Sequence, residues 1–141
     1  MMISARVHYA CLALFELAMR ADDTTPVAVR EITDKHNIPG PFLVQILRPL
    51  RAAGWVQSVR GSHGGYRLSV DPSQITLLDI AEAMGCQDRN SHLSETPTKS
   101  AIALQHAWDE ANEASRAVLS GLRLSDMVER CHHGEATMFY I

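Results

Sequence analysis

The segment Arg60-Gly61-Ser62-His63-Gly64-Gly65-Tyr66-Arg67 concentrates cationic and glycine residues within eight positions. Its chemistry is non-covalent. Guanidinium groups donate to phosphate oxygens, and glycines let a backbone turn tightly and lie close to a surface, here a sugar-phosphate edge. Arg60 suits a narrow minor groove, where the potential is most negative. Upstream, Gln45, Arg48 and Arg51 recur every three residues. Gln can pair with adenine through two bonds, and Arg with guanine or a phosphate. Arg30 and Arg67 are further phosphate-contact candidates. No Gly-Lys-Ser/Thr loop, nucleophile elbow, Ser-His-Asp order or carboxylate pair stands out, so an enzyme is not expected.

These residues need elements to present them. Val7, Ala10, Cys11, Leu14, Leu17 and Ala18 make one apolar face of a first helix over residues 4–20, with Ser4 as its N-cap. The polar run ending in Pro26 is a turn. A second helix, Val29–His36, sets Val29, Ile32 and His36 on one side. After the turn at Asn37-Ile38-Pro39-Gly40, a third helix runs over residues 41–53 with Phe42, Leu43, Ile46, Leu47 and Leu50 inward. Gly54 ends it, and Pro49 inside it predicts a local distortion. Two alternating segments, 55–60 and 66–68, form a β-hairpin around the glycines, for which Gly61, Gly64 and Gly65 supply positive φ. Thr76 and Asp79 cap a fourth helix reaching Met84. Residues 85–97 are a polar loop. A long helix follows over 98–121, with Leu104, Trp108, Ala111, Ser115, Val118 and Leu122 as a heptad-like stripe. A short helix over 124–131, capped by Ser125, ends the pattern, and the tail 132–141 gives no signal.

Charge divides along the chain. Residues 1–70 carry eight Lys/Arg against five Asp/Glu, and residues 71–141 five against eleven, so the halves stand at +3 and −6 within a net −3. A basic half beside an acidic one suits a chain that meets phosphates at one end. No apolar run approaches the ~20 residues of a membrane helix, and the N-terminus lacks a signal-peptide core. A cytoplasmic protein with no membrane partner is expected. The three cysteines, Cys11, Cys86 and Cys131, are widely spaced and suggest no disulfide framework. Cys11 reads as a small core residue. Cys131-His132-His133 is too short a set for a metal site, and none is expected.

Two short helices and an arginine-bearing hairpin make a winged helix-turn-helix. Tyr9-Ala10, Ile32, Phe42-Leu43-Val44-Gln45-Ile46-Leu47 and, most specifically, the Arg60-Gly61-x-x-Gly64-Gly65-Tyr66 wing resemble the Rrf2 family of bacterial transcription regulators. The likeness covers about residues 2–84 well and the long helix more loosely. It implies a homodimer on double-stranded DNA, paired through the stripe from Leu104 to Leu122. Such a pair would read an inverted repeat, with half-sites about one helical turn (~34 Å) or more apart. Cluster-binding members carry three cysteines in the loop before the long helix. Here that loop holds Cys86 alone, with His92 following and His106 on the long helix, too sparse a set for an iron–sulfur cluster. A mixed site borrowing His8 from the other subunit is the minor alternative. Pro39 and Pro41 replace serines, and Val44 an acidic residue, of the cluster-binding type, so a different target sequence is implied.

The expected architecture is thus mainly α with one small hairpin. It comprises a DNA-binding domain over 1–84, a sensor-region loop over 85–97 with Cys86 and His92 as sensor candidates, and a dimerisation helix and tail over 98–141. The expected function is a dimeric repressor answering a redox, metal or small-molecule effector. The competing readings are a cluster- or thiol-based sensor using Cys86 with non-cysteine ligands, and a protein-interaction module that has lost DNA binding.

Overall fold

The computed structural model describes residues 3–22, 25–85 and 91–138, with side chains as far as residue 134. Helix α1 (Ala5–Met19) starts where the Val7 amide donates to Ser4 Oγ at 3.3 Å. Its face of Val7, Ala10, Ala13, Leu14 and Leu17 is buried, as the helical spacing requires. Helix α2 (Val29–His36) ends at Asn37, which takes the left-handed conformation at φ 53° that Asn tolerates better than most residues. Helix α3 (Gly40–Ala52) follows after two further residues. Leu43, Ile46, Leu47 and Leu50 form its inner face, and Gly54, at φ 81°, lets the chain leave it. Pro49 lies within α3, which continues to Ala52. The carbonyl it leaves without a helical donor belongs to Gln45, on the exposed side, where water can satisfy it.

Strands β1 (Val56–Val59) and β2 (Gly65–Leu68) pair antiparallel, with Val56 opposite Leu68 and Gln57 opposite Arg67. The period of two sends Val56, Ser58, Tyr66 and Leu68 inward, and Gln57 and Arg67 to solvent. An isolated bridge joins Tyr66 to Val27, each backbone donating to the other's carbonyl at 2.8 Å, so the hairpin is stitched to the start of α2.

A 3-10 turn (Pro72–Gln74) capped by Asp71 leads to α4 (Leu77–Ala83). The reciprocal Thr76–Asp79 cap forms as expected: Thr76 N–H donates to Asp79 Oδ2 at 2.9 Å, and Asp79 N–H to Thr76 Oγ1 at 3.1 Å. Helix α5 (Lys99–Ser120) is capped by Thr98. The last helix, α6 (Leu124–Met138), corrects the expectation of a short helix and a featureless tail. Ser125 lies inside it and cannot be its cap. The Arg123 amide instead donates to Asp126 Oδ2 at 3.0 Å, an acidic side chain satisfying a first-turn donor. Leu124 is fully buried, and its N–H donates to Ile75 C=O, which fixes the start of α6 against the segment before α4. One apolar core joins α1, α2, α3 and α4 to Val27, Val56, Ile75 and Leu124.

Candidate nucleic-acid interface

The site begins with α3. Burying Leu43, Ile46, Leu47 and Leu50 forces the opposite face outward, so Gln45, Arg48 and Arg51 are exposed. The Arg48 and Arg51 guanidinium groups make no ion pair among the described residues. Gly54 then turns the chain into β1, and β1 packs back against α3. Helix α3 and the hairpin are therefore mechanically joined. At the hairpin, Arg60, Gly61, Ser62 and His63 form an exposed tip, and Arg67 stands exposed on β2. Arg30, on α2, is exposed and pairs loosely with Asp34 at 3.7 Å, a surface contact that phosphate could displace at small cost.

The glycines divide the work differently from the sequence expectation. Gly61 alone of the three has a positive φ, 117°. Gly64 and Gly65 are required by close backbone approach within the protein. A Cβ on Gly64 would stand 2.2 Å from Val59 O, and one on Gly65 2.2 Å from Val27 O. Gly64 lies against the hairpin's own backbone at Val59 and Gly65 against Val27, so close approach within the protein requires both to lack side chains. Tyr66 is partly buried against the core and holds the Val27 bridge. Its place beside the cationic tip makes it a support for Arg67 and the tip.

Helix α5 meets the body chiefly through α4. Only Gln105 on α5 is buried, whereas Leu104, Trp108 and Val118 are 55%, 51% and 62% exposed. Ala111 is also exposed, and Ser115 and Leu122 are half-buried. Gln105 accepts the His92 amide at 3.1 Å and donates to Asp109 at 2.9 Å, tying the segment before α5 to that helix. His92 itself is exposed. Cys86 lies outside the described residues.

A family model described as "Iron-dependent Transcriptional regulator", named Rrf2, matches residues 3–130. The chain belongs to the Rrf2 family. It is a DNA-binding transcriptional regulator rather than an enzyme. The HTH-type transcriptional regulator CymR of Bacillus subtilis is 31% identical over 144 residues, covering 100% of both chains. IscR of Aliivibrio salmonicida is 28% identical over 131 residues, covering 91% of this chain and 77% of that one. Among solved structures, B. subtilis CymR superposes with a TM-score of 0.79 at 28% identity, covering 92% of this chain and 98% of that chain. T. potens IscR gives 0.75 at 28% identity, covering 93% and 88%.

The family's iron dependence can be set against the donor set. Cys11 lies half-buried on α1, and burial pushes its thiol up to about 11, so it stays protonated at neutral pH. Iron–sulfur ligation needs thiolates. Cys131 stands far along the sequence on α6, and no group of three or more His, Cys, Asp or Glu among the described residues could hold a metal ion. The described donors do not fit a cluster.

Sequence reasoning overlooked the polar contact behind the helix pair. Glu16 is buried on α1, with Lys35 and His36 of α2 at its carboxylate. The available signal was a single carboxylate in the otherwise apolar stretch of α1. It also overlooked the bridge from Val27 to Tyr66, which no local pattern marks.

Proposed function

We propose that the chain is a homodimeric repressor that reads an inverted repeat in double-stranded DNA. Gln45, Arg48 and Arg51 reach base edges and nearby phosphates in the major groove. Arg60, His63 and Arg67 anchor the wing, and Arg30 adds a phosphate contact. The exposed guanidinium groups on α3 and the wing, which make no ion pair among the described residues, carry this reading. The two copies pair through Leu104, Trp108, Ala111, Ser115, Val118 and Leu122. A stripe this apolar and this exposed on one chain is the kind of surface that a partner covers. The effector acts through the segment after Met84, which holds Cys86 and His92, and is redox, metal or small-molecule in kind. The full-length similarity to CymR, the global cysteine regulator of B. subtilis, favours sulfur or thiol chemistry over a cluster.

The test is titration of the purified chain with duplex DNA from its own promoter region over a salt series. Binding should weaken linearly on a double-logarithmic salt plot. Arg60→Ala and Arg67→Ala should each reduce the slope by about one and weaken all sequences alike. Gln45→Ala and Arg48→Ala should cost about 1–3 kcal/mol on the preferred sequence and relax the preference. Salt-insensitive binding, or equal affinity for every duplex, would contradict the reading.

A further inference from the structure

Glu16 is the one buried carboxylate among the described residues, and its surroundings are specific. Its Oε1 accepts from Lys35 Nζ at 2.6 Å and lies 3.1 Å from His36 Nε2, and its Oε2 is 3.6 Å from Arg20 on the same helix. Arg20 in turn pairs with Glu31. Residues 16 and 20 on α1 thus face residues 31 and 35 on α2, both pairs at i,i+4 spacing. This double latch spans the two helices.

Beyond the Val27–Tyr66 bridge before its start and its packing on α3, helix α2 has few anchors of its own. Ile32 is its only buried residue, and Ala28 at its N-cap provides no side-chain cap. Lys35 and His36 are its last two residues. Asn37, Ile38 and Pro39 then lead straight into α3. The grip of Glu16 is therefore at the point from which the reading helix departs.

We propose that Glu16 is a positioning residue for base-specific reading. By holding Lys35 and His36 it fixes the origin of α3, and hence the register of Gln45 and Arg48 against base edges. A bidentate contact to a base needs a side chain placed to a fraction of an ångström, whereas a phosphate contact tolerates displacement. Loss of the latch should accordingly harm sequence reading and spare general affinity. The inference rests on the DNA-binding reading above.

The experiment uses the full chain. The wild type first selects its preferred duplex from a random library. Affinities of wild type and Glu16→Gln are then measured on that duplex and on a scrambled one. Glu16→Gln should lose about tenfold or more on the selected duplex and less than about threefold on the scrambled one. Lys35→Met, at a half-exposed position, should do the same in weaker form and decides the matter if Glu16→Gln does not fold. The double variant should lose no more than the worse single one, since both break one contact network. A merely structural role predicts a different result: a smaller folded fraction lowers both affinities by one factor and leaves their ratio unchanged. An unchanged ratio, from parallel losses or from none, overturns the proposal while leaving DNA binding standing. Failure of the wild type to select any sequence overturns both.

Discussion

Glu16 shows how one side chain balances opposing effects. Burial alone would raise its pKa, but hydrogen bonds from Lys35 and His36, with their charge, outweigh that and hold it below the ordinary glutamate value of 4.5. A carboxylate that binds its proton more weakly when folded adds stability above its unfolded pKa. That contribution disappears as pH falls from about 4.5 through the lower folded value. Thermal midpoints measured from pH 6 down to pH 3 should fall across this window, and Glu16→Gln should flatten the fall. Parallel curves for the two proteins would refute this assignment. Arg60 and Arg67 illustrate the opposite condition, exposed charges with no partner among the described residues and hence available to one from outside.

The wing is an element whose shape depends on backbone contact more than on side chains. Gly65 sits where any Cβ would collide with Val27 O, a backbone atom that cannot turn aside. Gly65→Ala should cost about 1–3 kcal/mol, read as a lower denaturation midpoint. Gly54→Ala meets no neighbour and tests only the strain of its φ of 81°, and so should cost less. Equal costs would contradict the crowding argument. The elements around the wing were legible in the sequence for physical reasons. Ser4 and Thr76 each announce a helix start by chemistry confined to a few residues. The outward placing of Gln45, Arg48 and Arg51 follows from the spacing of four buried partners on α3. The separate duties of the three glycines were not legible, because the atoms that crowd Gly65 belong to Val27, far away in sequence. The extent of α6 was missed because His132, His133 and Gly134 interrupt any apolar period, and its start is fixed by Ile75.

At the scale of the molecule, one chain leaves a surface unfinished. A helix of 22 residues with a single buried side chain is not held chiefly by its own core. Covering a Trp or Leu side chain contributes about 1.5–3 kcal/mol, and a two-fold interface counts each residue twice. Trp108→Ala should therefore weaken self-association at least about tenfold in sedimentation equilibrium. It should weaken operator binding with it, and leave the fold of the DNA-binding body intact. Unchanged association would move the interface elsewhere. Pairing through this helix would put a second reading helix and wing on the same duplex, related by the two-fold axis.

Selection of bound duplexes from a random DNA library by the full-length chain puts the whole reading at risk at once. Two inverted half-sites should be enriched, with centres about one helical turn or a multiple of it apart. Enrichment of a single unrepeated half-site, or of nothing, would contradict a symmetric pair of helix-and-wing units acting on DNA.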